Sequence, residues 1–196
     1  MREFVEVMIE RPTAAAHRMV AEVVKEGDLA VDATAGNGHD TLFLAGLVGE
    51  SGRVLAFDVQ EAAILSTRKR VSDAGVESRV ELRHESHGKL LERVGRGGAS
   101  AVMFNLGYLP GGDHAVTTEV GESSKAVVQG LFALKPGGVM TIVCYTGHPG
   151  GAEEAAVVVM GLERILEEGT AGAFALVVGE PSRDKAPFLV VVRKEG

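Results

Sequence analysis

The stretch Asp32-Ala-Thr-Ala-Gly-Asn-Gly-His-Asp-Thr41 carries the densest chemistry in the chain. Two glycines two residues apart, Gly36 and Gly38, let a backbone turn tightly and approach a ligand closely. Leu29 to Ala33 ahead of them is a short apolar run and reads as a strand. Asp40 to Val48 behind them reads as a helix, whose first amides point at whatever fills the turn. Thr34, Asn37, Asp40 and Thr41 set further polar side chains on the same loop. Asp58 closes the next apolar run, 20 residues after Gly38, and Gln60 follows it. A carboxylate at that spacing accepts both hydroxyls of a ribose, so the pattern points to a nucleoside ligand.

Two nucleoside classes use such a turn. The dinucleotide fingerprint requires a third glycine, for close packing of helix on strand, and Thr41 stands at that position. Asp40 opens the helix where a pyrophosphate would sit, and like charges there repel. Asp32 adds to the negative field. S-adenosyl-L-methionine instead carries a sulfonium cation and an ammonium group, which an acidic loop attracts. The alternative, a nicotinamide-dependent oxidoreductase, fits the loop less well.

A second group of residues lies on the substrate side. Asn105-Leu-Gly-Tyr-Leu-Pro-Gly-Gly-Asp113 follows the apolar run Ala101 to Phe104. In a doubly wound sheet, ligands bind beyond the carboxyl ends of the strands. Asn105 is therefore expected near the transferable methyl, contributing to both the cofactor and the catalytic site. Its position, with Tyr108, resembles the Asn-Pro-Pro-Tyr motif of amino-group methyltransferases, with Leu106-Gly107 in place of the two prolines. That resemblance implies an Asn oxygen that accepts from the target amine and a Tyr that packs on the target base. An attacking amine must be neutral, and an imidazole is the side chain suited to taking its proton. His148, in Tyr145-Thr-Gly-His-Pro-Gly-Gly151, is best placed; a loop histidine bonded to backbone is the plainer alternative. Ser86-His87 follow the third apolar run, where methyltransferases commonly hold adenine. His84 and His17 read as structural or surface residues, and Cys144 as a small buried apolar one.

These residues need a scaffold that brings strand ends together. Helical spacing marks Thr13–Lys25, Glu61–Ala74, Ser123–Leu134 and Ala152–Glu168. Strands are expected at Val54–Phe57, Arg79–Arg83, Ala101–Phe104, Val139–Tyr145, Phe174–Val178 and Phe188–Val192, with Lys135-Pro-Gly-Gly138 as a breaker. Strands separated by helices imply crossover units and a mainly parallel sheet. Gly179 to Pro187 is too short for a crossover, so the last strand enters antiparallel. The expected architecture is α/β, with a Rossmann-like, seven-stranded sheet, helices on both faces and one domain over residues 1–196; by analogy its layout resembles that of class I methyltransferases.

Composition narrows the partners. Net charge is −7, which excludes a generic nucleic-acid binder, yet Arg53 to Arg96 holds nine Lys/Arg against seven Asp/Glu. That segment forms either a local basic face or an ordinary solvated helix surface. One cysteine allows no internal disulfide, and no Cys/His cluster has zinc spacing. No uncharged run reaches membrane-helix length and Met1 to Glu10 lacks a signal's apolar stretch, so a cytoplasmic protein is expected. Apolar helix residues serve either a core or the face of a homodimer.

The acidic loop, Asp58-Val-Gln60, Ser86-His87, Asn105 to Asp113 and Tyr145 to Gly151 occur in that order. Together they resemble the YtqB-like (MnmM) family of small bacterial S-adenosylmethionine-dependent methyltransferases, long labelled rRNA methylases. The resemblance implies methylation of the aminomethyl group of 5-aminomethyluridine at the wobble position of tRNA, contacted at its anticodon region. It also implies Asn105 as the amine-orienting residue; Arg183-Asp184-Lys185 departs from the family's Asn-rich turn, and its two basic residues can contact phosphates. Methylation of rRNA or of a small molecule would use the same cofactor loop.

Overall fold

The computed structural model describes residues 11–107 and 120–196. Seven strands form one sheet: β1 (Leu29–Asp32), β2 (Arg53–Asp58), β3 (Val80–His84), β4 (Ala99–Leu106), β5 (Leu134–Cys144), β6 (Phe174–Val178) and β7 (Phe188–Lys194). Their order is β3-β2-β1-β4-β5-β7-β6. The pairs β2–β3, β1–β2, β1–β4 and β4–β5 are parallel, whereas β7 runs antiparallel to both β5 and β6. The expected sheet, with its reversed last strand, is present.

Alternation along the strands builds two apolar layers. Val31, Leu55, Phe57, Val102, Phe104, Ile142 and Val190 point to one face, beneath α4 (Leu90–Val94), α5 (Val120–Ala133) and α6 (Gly151–Glu168). Ala30, Val54, Ala101, Met103, Val143 and Val191 point to the other, beneath α1 (Pro12–Ala21) and α2 (His39–Val48). The remaining helix, α3 (Glu61–Asp73), lies beside α2 and over β2 and β3. A fully buried Leu, Ile or Phe in such a layer contributes about 1.5–3 kcal/mol over leaving it exposed.

Several boundaries differ from the spacing-based expectation. The first helix stops at Ala21, and in the turn that follows Val23 and Val24 both donate to the Val20 carbonyl. Lys135 to Gly138 does not separate helix from strand but is a bulge inside β5: Ala99 pairs with Leu134 and Ala101 with Val139. β4 runs to Leu106, so Asn105 belongs to the strand rather than to the loop after it. The five-residue α4 is too short to show a period. Among the described residues, no helix is long and apolar enough to cross a membrane.

The strand order reverses between β1 and β4, the switch point where open α/β sheets leave a crevice at their carboxyl edge. Asp32 ends β1 and pairs in register with Met103, two residues before Asn105. Both expected sites are thereby brought to one crevice.

Candidate active site

The turn after β1 is shaped by its glycines and tied down by carboxylates. Gly36 and Gly38 have φ of 52° and 78°, the left-handed region that side chains rarely enter. A Cβ on Gly38 would also stand 2.9 Å from Thr67 Cα, so α3 packs directly on the turn. The Thr67 hydroxyl donates to the Gly36 carbonyl at 3.0 Å. Asn37 accepts at its side-chain oxygen from Ser66 (3.2 Å) and at its carbonyl from Arg70 (2.6 Å). Asp58 accepts from the Gly36 amide at one oxygen and from the Gln60 amide at the other, both at 2.9 Å. Each oxygen keeps a second lone pair, so the same carboxylate can still accept from ribose hydroxyls.

Asp32 and Thr41 behave differently from the sequence expectation of cofactor contact. Both are 0% exposed. Asp32 accepts from the Thr34 amide at 3.1 Å and from the Thr41 hydroxyl at 2.5 Å. Their work is to hold the loop from behind. Burial, then the charge of Asp40, and more weakly that of Asp58, push the Asp32 carboxyl up to about 7. Asp40 and Asp58 thus set a negative field at the crevice, which Asp32 joins when it ionises.

Asn105 is fixed from two sides. Its backbone N–H donates to the Thr34 hydroxyl at 2.8 Å, and its side-chain amide nitrogen donates to Asp40 Oδ2 at 2.6 Å. A carboxylate accepts only, so this bond decides which way the amide faces: Nδ2 towards Asp40, Oδ1 away from it. The other Asp40 oxygen, Oδ1, lies 2.6 Å from His17 Nε2. The sequence gives no hint of that pair, and His17 is not a plain surface residue.

The remaining candidates are spread around this centre. Ser86 accepts from the Gly88 amide at 3.0 Å, capping a short 3-10 turn, and donates to Glu122 at 2.9 Å. His87 Nδ1 meets the Ala33 carbonyl at 3.0 Å while the ring packs edge-on to Phe104, and burial holds its pKa below the usual imidazole range. His148 Nδ1 meets the Pro149 carbonyl at 3.0 Å, within its own loop. His84 Nε2 meets the Val59 carbonyl. Tyr108 and the block through Asp113 lie outside the described residues.

Tyr145 joins the site without having been singled out by spacing. It continues β5 by donating its amide to the Leu106 carbonyl at 3.0 Å, and its side chain lies over Gly107, where an added Cβ would come within 3.2 Å. Burial, and then the charge of Asp40, push its hydroxyl pKa up. Its signal is its place at the head of the Tyr145-Thr-Gly-His motif.

The basic segment spends much of its charge internally. Arg83 pairs with Glu81, Lys89 and Arg93 with Glu85, and Lys69 with Asp73, while the Arg96 guanidinium stacks 4.4 Å over Phe132. That face is less positive than its composition suggests.

A cationic nucleoside fits this donor set. The glycines leave room for close backbone approach, Asp58 suits a ribose, and Asp32 is hard to ionise first because it is buried and then because Asp40 and Asp58 add negative charge beside it. A pyrophosphate would meet the same field as repulsion. The strand order, the reversed β7 and the acidic glycine turn at the switch point define a class I methyltransferase.

Residues 54–192 match the family described as "Putative rRNA methylase", and the chain belongs to that family. A solved structure of the same description from Clostridium thermocellum is 37% identical, with a TM-score of 0.88, over 94% of this chain and 98% of that one. A methyltransferase of Streptococcus mutans, likewise called putative and solved in complex with SAH, is 32% identical, with a TM-score of 0.83, over 95% and 99%. A chloroplastic tRNA (mnm(5)s(2)U34)-methyltransferase of Arabidopsis thaliana is 39% identical over 158 residues, 76% of this chain. The matched stretch spans 58% of that relative's length.

Proposed function

We propose that this protein is an S-adenosylmethionine-dependent tRNA methyltransferase that adds a methyl group to the aminomethyl nitrogen of 5-aminomethyluridine at the wobble position, in the cytoplasm. The observation that carries the reading is the Asn105 amide, locked by Asp40 so that its oxygen is the group left to accept from an amine. The name of the Arabidopsis relative and the family match support an RNA substrate.

When bound, the cofactor supplies a methyl group on a positively charged sulfur, and an amine takes it by in-line displacement. The chain's own part is to place and align. Asp58 holds the ribose, and the Gly36–Gly38 turn holds the rest of the nucleoside. Asn105 Oδ1 accepts an N–H of the neutral amine, turning its lone pair towards the methyl, and such alignment is a major source of acceleration. The nitrogen gains a carbon and sheds a proton. His148 is the candidate acceptor: with Nδ1 donating to Pro149, Nε2 is its basic nitrogen.

Nucleoside mass spectrometry tests this directly. Undermodified tRNA and rRNA are incubated with the protein and S-adenosylmethionine, digested and compared. Conversion of 5-aminomethyluridine to 5-methylaminomethyluridine in tRNA is expected. Methyl gain confined to rRNA, or none in either, would overturn the proposal.

A further inference from the structure

His17 reaches the crevice from α1. Asp40 has two carboxylate oxygens, and each is taken: Oδ2 by Asn105 Nδ2 and Oδ1 by His17 Nε2, both at 2.6 Å. His17 is itself held, because its ring stacks on Phe43 at 3.9 Å between centroids and 3° between planes. Phe43 sits three residues after Asp40 on the same helix, α2. The result is a closed arrangement: one helix fixes the imidazole plane, and the imidazole fixes a carboxylate of that helix.

A short carboxylate rotates freely about its last torsion unless something stops it. A single bond to Asn105 would leave that rotation to chance. Two bonds from opposite sides leave one orientation. We propose that His17 is a positioning residue, which clamps Asp40 so that Asp40 holds the Asn105 amide with Oδ1 presented to the amine nucleophile. This rests on the reading of Asn105 as the amine acceptor. Because Asp40 accepts only, Nε2 of His17 carries the hydrogen in this pair.

The two contacts of His17 can be separated by substitution. His17→Phe keeps a ring to stack on Phe43 and removes the donor. His17→Gln keeps an N–H at comparable reach and gives up the stack. Each variant is read in three ways beside Asn105→Ala: single-turnover methylation of tRNA bearing 5-aminomethyluridine, S-adenosylmethionine affinity by calorimetry, and the side-chain amide signals of Asn105 in a proton–nitrogen NMR spectrum without cofactor.

His17→Phe is expected to lower turnover about 10–100-fold, by analogy with loss of a hydrogen-bonding partner behind a metal-ligating side chain. Its cofactor affinity and RNA KM stay near wild type, and the Asn105 amide pair shifts towards the values of a solvent-exposed amide. His17→Gln is expected to restore both turnover and amide signals. Wild-type turnover with unshifted amide signals in His17→Phe, while Asn105→Ala is defective, would overturn the clamp alone. A Gln variant worse than the Phe variant would assign His17 to packing and likewise overturn it. Normal turnover in Asn105→Ala would overturn the amine reading, and the catalytic meaning of the clamp with it.

Discussion

The hydroxyl oxygen of Thr34 accepts a hydrogen bond from the backbone N–H of Asn105 at 2.8 Å. Thr34 belongs to the nucleoside loop and Asn105 to the strand that meets the acceptor, so one bond sets the distance between the two half-sites. Thr34→Val preserves shape and removes the acceptor, leaving a half-buried N–H unmet at a cost of about 1–3 kcal/mol. Urea unfolding should show that loss, with kcat falling further than cofactor affinity. Equal stability of the two proteins would show that the bond contributes nothing.

Asn105→Ala should keep cofactor affinity and lose turnover. The lost hydrogen bond matters most once the lone pair is aligned, so its absence appears in kcat. By analogy with removal of one oxyanion-hole donor, the cost is about 2–4 kcal/mol. Rapid-quench single turnovers at saturating cofactor measure it, and a rate within twofold of wild type would leave Asn105 without the role.

Asp58→Ala should weaken S-adenosylmethionine binding for two reasons. The ribose loses an acceptor, and the Gly36 and Gln60 amides lose the carboxylate that orders the turn. At a ligand concentration 100 times Kd, wild type should gain about 2.7 kcal/mol of stability. The variant should gain far less at that same concentration, by thermal shift. NAD should give neither protein a shift, and an NAD-specific shift would contradict the cofactor assignment.

Much of this site can be read from local sequence, and the unreadable part has a physical reason. The glycine turn, Asp32 and Asp58 announce themselves because short-range spacing fixes their geometry. The link from Asn105 to Asp40 spans 65 positions and that from His17 to Asp40 spans 23. Sheet register and helix packing set both, and no local pattern encodes them. Thr41 looks like a ligand-facing loop residue, yet the first turn of α2 rotates it inward onto Asp32. Pro136-Gly137-Gly138 signals a break, but long-range pairing with β4 turns the break into a bulge.

The buried Asp32 carboxyl makes stability and cofactor binding pH-dependent. Its pKa moves from 3.8 to about 7, first through burial and then through the charge of Asp40. Between those values the folded protein holds a proton that the unfolded chain has released. Stability from this group is therefore complete below about pH 4 and is lost as pH rises through about 7. Melting temperatures from pH 5 to pH 8 should fall less steeply in Asp32→Asn than in wild type. A cation in the crevice favours the ionised form, so affinity for S-adenosylmethionine should rise from pH 6 to pH 8 more than affinity for S-adenosylhomocysteine, which lacks the sulfonium charge. Parallel pH profiles for the two ligands, by calorimetry, would count against the field described here.

The placement of β7 between β5 and β6 sets a clock on biosynthesis. The ribosome releases β6 before β7, yet β6 has no other strand to pair with, and the outer edge of β5 waits for the same partner. From Cys144 to Phe188 the chain grows by 44 residues, the difference of their numbers. At about 5–20 residues per second that is roughly 2–9 s. Throughout it β5, which carries Tyr145 at its end, presents a row of unpaired N–H and C=O groups. The strand that carries Tyr145 at its end is therefore secured late, and each nascent molecule passes through seconds in which a neighbouring chain can take the place of β7.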